Sequence, residues 1–94
     1  MFTVSYGTAV KKDLKKLSRK VLKEVDGAFS KIAEDPYSSG ERLIGSLSAF
    51  YSYHMRVSKV DYRIIYEILP SDQIVLVLII DTRENMYDKL RRRV

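Results

Sequence analysis

The run Ile74-Val75-Leu76-Val77-Leu78-Ile79-Ile80 is apolar without a break. In a strand, successive side chains point to opposite faces, so a run apolar at both parities needs cover above and below. It predicts a central strand, and it is far too short to cross a bilayer as a helix. The rest of the chain must therefore supply other strands and at least one helical layer.

The layer is readable upstream. Val10, Leu14, Leu17, Val21, Val25, Phe29 and Ile32 recur at steps of three or four and form one helical stripe. Ser18 sits where its hydroxyl can cap a second helix, which divides the stretch into a hairpin of helices over 9–17 and 19–34. Asp35-Pro36 ends it, because a residue before proline is pushed out of the α region. Ser38-Ser39-Gly40 reads as loop. Phe2, Val4 and Tyr6 alternate with Thr3 and Ser5 and predict a strand over 2–6.

Downstream, alternation marks strands over 51–57 and 62–69, a weaker one over 42–47, and 74–82 as the apolar strand. The connections at 58–61 and 70–73 are short enough for antiparallel hairpins. The expected fold class is α+β: an N-terminal strand, a helical hairpin, then an antiparallel meander of three to four strands with the helices on one sheet face and the other face free. Residues 83–94 read as a strand end followed by a short basic helix or a frayed tail. With 94 residues, 46% of them hydrophobic, one core takes most of the apolar side chains, so 1–94 is expected to be a single domain.

The 17 Lys and Arg outnumber 12 Asp and Glu, a net +5 that favours polyanionic partners, nucleic acid or an acidic protein segment. Lys11, Lys12, Lys15, Lys16, Arg19, Lys20 and Lys23 lie largely off the apolar stripe. They read either as a solvated helix face or as a surface that steers phosphates. The absence of cysteine removes thiolate chemistry and disulfides. His54 is the only histidine and no ligand-spaced acidic cluster accompanies it, which argues against a metal nuclease. No phosphate-binding loop, dinucleotide fingerprint or serine-hydrolase elbow is present. Residues 1–6 lack the features of a secretory signal, and the expected location is the cytoplasm.

Chemistry concentrates in the strands. His54 and Arg56 share a face in 51–57. A hairpin closed symmetrically about Lys59-Val60 sets Arg56 opposite Arg63 and His54 opposite Ile65. Folding the next hairpin about Ser71 sets Arg63 near Ile79 and carries Arg83 toward the Lys59 turn. Three arginines then border one patch, and a shared anion would relieve their repulsion. A guanidinium suits a phosphodiester through its planar fork and permanent charge. His54 has the intrinsic pKa of a neutral-pH base. Tyr87, four residues past Arg83, offers a ring either for stacking an unpaired base or for packing a helix.

Tyr53-His54-Met55-Arg56-Val57, Asp61-Tyr62-Arg63-Ile64-Ile65-Tyr66 and Thr82-Arg83-Glu84-Asn85-Met86-Tyr87 resemble, in order and spacing, three motifs of the RelE/ParE toxin superfamily. Leu43-Ile44-Gly45-Ser46-Leu47 resembles the segment before them. The resemblance implies the toxin of a type II toxin–antitoxin pair, held by a cognate antitoxin. Its RelE branch implies a cofactor-free endonuclease that cuts mRNA in the ribosomal A site through attack of a ribose 2′-OH. By that likeness Arg63 and Arg83 hold the transition state, with Arg83 able to protonate the leaving oxygen, and Tyr87 stacks on a codon base. The strand that carries two lysines in the RelE enzymes has His54 and Arg56 here, and Thr82 replaces a histidine. His54 thereby becomes the candidate base and Arg56 a phosphate clamp, with Lys59, Arg91, Arg92 and Arg93 as further RNA contacts. The alternatives are a ParE-like, non-enzymatic inhibitor of DNA gyrase and a nucleic-acid-binding module without activity.

Overall fold

The computed structural model describes residues 1–93. Val94, the end of the basic tail considered above, lies outside them. The elements run β1 (Thr3–Tyr6), α1 (Thr8–Lys15), α2 (Arg19–Glu34), α3 (Pro36–Ser39), β2 (Glu41–Arg42), β3 (Phe50–Val57), β4 (Val60–Leu69), β5 (Ile74–Thr82) and α4 (Arg83–Arg93). Single 3₁₀ turns occupy Gly45–Leu47 and Pro70–Asp72.

One five-stranded sheet has the order β1-β5-β4-β3-β2. The meander from β2 to β5 is antiparallel, and β1 joins its far edge parallel to β5, Thr3 beside Ile74 and Tyr6 beside Val77. The sheet is therefore mixed. β5 lies between β1 and β4 and is covered on both faces, as its unbroken apolar run requires.

Ser18 caps α2, its hydroxyl accepting from the Val21 N–H at 3.3 Å. The stripe of the two helices packs Val10, Val21, Val25, Ala28 and Ile32 against Ile64, Tyr66, Val75, Val77 and Ile80. Asp35 ends α2 and caps α3, so the loop expected over 38–40 is helical as far as Ser39. Tyr66, wholly buried, donates to the Pro36 carbonyl at 2.8 Å and stacks on Tyr51 with centroids 5.6 Å apart. Burial pushes its phenol up to about 12. Gly40 passes directly over this hydroxyl, and a Cβ there would also stand 3.0 Å from the Ser52 carbonyl oxygen.

Two expectations need correcting. The strand sought over 42–47 is reduced to Glu41–Arg42, because Gly45 takes φ +68° and starts a 3₁₀ turn that leaves the sheet. The second sheet face is not free. The basic segment from Arg83 is a full helix, α4, and its Met86 and Leu90 bury against Phe50, Ile65 and Ile79.

The ends of α1 and α4 are tied together at the sheet edge. β1 stops at Tyr6, level with Val77, so the backbone of β5 beyond that point has no strand neighbour on this side. Asp13, 3% exposed, fills the gap by accepting from the Ile80 N–H at 3.1 Å. Its carboxylate also takes Lys89 Nζ at 2.9 Å and both terminal nitrogens of Arg93, at 2.8 and 2.9 Å. Lys89 bridges on to Asp81 at 2.6 Å. Among the described residues no helix is long and apolar enough to cross a membrane.

Candidate functional site

The β3–β4 hairpin closes with Val57 opposite Val60, leaving Ser58 and Lys59 as a two-residue turn. Both have positive φ, 50° and 68°, the pattern of a type I′ turn, though neither is the glycine or asparagine such turns favour. The register therefore differs by two residues from the symmetric closure about Lys59-Val60. His54 stands opposite Arg63, and Arg56 opposite Asp61.

A shift of two preserves every side chain's face but changes its partner. The expected repulsion between Arg56 and Arg63 is absent. Arg56 meets an opposite charge instead, its Nη1 lying 4.0 Å from Asp61 Oδ1 in an exposed pair. On the next ladder Arg63 pairs with Asp81 rather than lying near Ile79. The turn centres between Ser71 and Asp72, and Leu78 is inserted as a bulge between Ile79, opposite Ile65, and Val77, opposite Tyr66.

His54, Arg63, Arg83 and Tyr87 line one cavity of about 190 Å³, together with Glu41, Arg42, Leu43, Ser52 and Met86. Arg83 and Tyr87 also line a second, more open groove of about 650 Å³, with Lys59, Val60, Asp61, Thr82 and Glu84. The two hollows share Arg83 and Tyr87 as a common wall, and side by side they span the sheet from β2 to the Lys59 turn; we call the pair the channel. Arg83 is the first residue of α4, where a cation is disfavoured by the helix dipole, so guanidinium and helix terminus both add positive potential to the channel. Tyr87, one turn later and half exposed, shows its ring on the same side.

His54 feels opposing influences. Desolvation lowers its pKa most, Arg63 lowers it further, Glu41 raises it, and Arg83 lowers it again, for a net value below the ordinary histidine range. Glu41 Oε2 is 4.0 Å from His54 Nε2. Such an imidazole is neutral at pH 7 and free to take a proton. Ser52, beside it, is buried with a hydroxyl that has no hydrogen-bond partner among the described residues. Three arginines, Arg42, Arg63 and Arg83, with a neutral imidazole and a half-exposed phenol around such a hollow suit a phosphodiester: charge to hold it, and a base beside it.

The other expected contacts lie elsewhere. Arg56 borders neither hollow. Arg91 pairs with Asp88 at 2.9 Å, and Arg92 lines a separate hollow with Lys16, Asn85 and Asp88. Arg93, expected as a further RNA contact, instead turns its guanidinium inward to Asp13 and the Leu78 carbonyl. Glu41, Arg42 and Ser52 were not anticipated. Glu41 and Arg42 fall in a segment with little periodicity. Ser52 shares the parity of His54, and a polar residue on that face was a usable signal.

A family model for the ParE-like toxin of type II bacterial toxin–antitoxin systems matches residues 4–91. The chain belongs to this family. The fold agrees with solved toxins. The RelBE2 toxin–antitoxin complex from Mycobacterium tuberculosis contains a chain 28% identical, with a TM-score of 0.76 over 87% of this chain and 98% of that one. The isolated RelE toxin of Escherichia coli is 18% identical, with a TM-score of 0.73 over 99% and 98%. The intact RelBE complex of the same organism gives 15% and 0.71 over 86% and 95%. A comparison with curated protein sequences gives no match. The ParE-like toxin described here thus has the RelE fold, and two of these relatives are seen in complexes with antitoxins.

Proposed function

We propose that this toxin is a metal-independent endoribonuclease that cuts mRNA in the ribosomal A site, in the cytoplasm, and is held inactive by its cognate antitoxin. The observation that carries this reading is the meeting of His54, Arg63, Arg83 and Tyr87 in one cavity. Neutral His54 takes the proton of a ribose 2′-OH. The oxygen attacks the adjacent phosphorus, the bond to the 5′ oxygen breaks, and a 2′,3′-cyclic phosphate and a 5′-hydroxyl end result, the leaving oxygen taking its proton from solvent in the open groove. Arg63 and Arg83 neutralise the charge that builds on the phosphoryl oxygens, with Arg83 hydrogen-bonding the leaving oxygen. Tyr87 stacks on an unpaired base, and Lys59 steers the strand at the far end of the channel. Arg56 serves as an outlying phosphate contact.

The test is translation of a defined mRNA on purified ribosomes, with 5′ ends mapped. Cleavage within the A-site codon is expected. Arg83→Ala should slow it by roughly 100- to 1000-fold, the usual effect of removing one transition-state donor. His54→Ala should slow it by a similar factor as a lost base. The ParE-like description of the matched family favours a second reading, inhibition of DNA gyrase. Intact mRNA together with blocked supercoiling would establish that one instead.

A further inference from the structure

The channel does not hold the molecule's excess positive charge. Between Lys11 and Lys23 stand seven cations and a single acid, the buried Asp13. Subtracting these from the whole chain, 17 − 7 leaves ten cations and 12 − 1 leaves eleven anions, so the net +5 comes from this one segment. All seven side chains are exposed, and none is ion-paired among the described residues.

Only part of this follows from the fold: Lys12 and Lys15 sit in the last turn of α1, where the helix dipole favours cations. Lys11 and Lys15, Lys12 and Lys16, Lys16 and Lys20, and Arg19 and Lys23 are like charges four residues apart in sequence. Where such a pair lies within one helix, repulsion costs about 0.2–0.5 kcal/mol. Arg19 and Lys20 occupy the first turn of α2, which has no acidic residue to satisfy the helix dipole. A helix selected only for solubility would mix its signs. Several small penalties all of one sign point to an anion that removes them.

We infer that the outer faces of α1 and α2 form a second nucleic-acid surface, one that grips the phosphate backbone of a duplex. The segment 11–23 has no aromatic residue, so it has no ring on which an unpaired base could stack. What it presents is a basic surface of lysines with one arginine, which suits sequence-independent contacts to phosphates on a rigid double helix. The apolar side of the same helices packs on the sheet face opposite His54, Arg63 and Tyr87. The sheet therefore lies between the two surfaces, and a duplex on the helices does not block a single strand in the channel. The inference does not depend on whether the channel cuts RNA.

The experiment is fluorescence anisotropy of the full chain with a blunt-ended, loop-free RNA duplex, a DNA duplex of equal length and poly-glutamate, each titrated across a range of salt. Wild type should bind the nucleic-acid duplexes with a steep salt dependence. A preference for one of the two would identify its natural source. In Lys12→Gln/Lys15→Gln/Lys20→Gln the slope of log affinity against log salt should fall in magnitude by roughly 2 to 3, about one per lost phosphate contact. Arg83→Ala should leave duplex binding unchanged. An unaltered slope in the triple variant, with wild-type helicity by circular dichroism, would overturn the inference. So would duplex affinity lost through Arg83→Ala, or poly-glutamate bound as tightly as duplex.

Discussion

Arg93, in the last turn of α4, forms a two-pronged ion pair with Asp13 on α1, Nη1 to Oδ2 at 2.8 Å and Nη2 to Oδ1 at 2.9 Å. The same carboxylate accepts Lys89 and the otherwise unpaired Ile80 N–H. It is the only group holding the two helices together across the open edge of β5 among the described hydrogen bonds. Asp13→Ala would orphan a buried N–H and leave two partly buried cations short of a counter-charge. The expected loss is about 3 kcal/mol, within the range for breaking one side of a buried pair. Urea unfolding measures it, and a change below about 0.5 kcal/mol, the level of an ordinary surface substitution, would mean that the network is inert.

The same carboxylate sets an acid limit. Burial alone would raise its pKa, but Arg93, the Ile80 N–H and Lys89 together outweigh burial and hold it below the ordinary aspartate range. A carboxyl depressed on folding stabilises the native state above its unfolded pKa, about 4, and loses that contribution as pH falls through the folded value. Wild type should therefore lose stability steeply below about pH 4. Asp13→Asn should start lower at neutrality and show a shallower acid limb in chemical denaturation across pH.

The long strands and the helical hairpin were legible because each carried a periodic signal, whereas α3, expected as loop, and β2, in a segment of little periodicity, were not. The apolar run fixed β5 as central, the stripe from Val10 to Ile32 located the helical hairpin, and Ser18 marked its division. Pairing was harder to read. Ser58 and Lys59 form a turn that ordinarily announces itself through asparagine or glycine, so the closure was placed one residue away, which shifts the register by two and matched Arg56 with Arg63 instead of Asp61. Parity survived that shift, which is why His54 and Arg63 were still on the correct face. The bulge at Leu78 has no sequence mark at all. Asp13 did have one: it lies three residues after Val10 and four before Leu17, on the apolar stripe, where a lone acid among lysines signals a buried partner.

For the reaction proposed here, the pH profile should report His54. Desolvation and then Arg63 lower its pKa, while Glu41 opposes them. A base must be deprotonated, so the cleavage rate should rise with pH through an acid limb centred below the usual histidine value, about 6.5. Glu41→Gln removes the one nearby group shown to raise that pKa from β2, and the limb should move to still lower pH with the plateau retained. Single-turnover cleavage on programmed ribosomes would check this, and a limb that moves upward, or a plateau lost with Glu41, would remove His54 from the role of base.

Under the function proposed here, Lys59 links stability to binding. A non-glycine residue in the left-handed region is strained by about 1–2 kcal/mol, and the type I′ turn places Lys59 there at φ 68°. Strain of this kind persists where a side chain is needed for something other than folding. Lys59 lines the open end of the channel beside Asp61 and Arg83, where a passing phosphate would meet its ammonium. Lys59→Gly should relieve the backbone, and after the extra freedom glycine gives the unfolded chain is subtracted, thermal unfolding should show a gain of about 0.5–1 kcal/mol. The same variant should bind single-stranded RNA more weakly and with a salt slope smaller by roughly 0.7, the value for one phosphate contact on a single strand. A more stable protein with unchanged RNA affinity would show that the strain serves only to close the hairpin. A protein no more stable than wild type would show that the turn holds its lysine without strain.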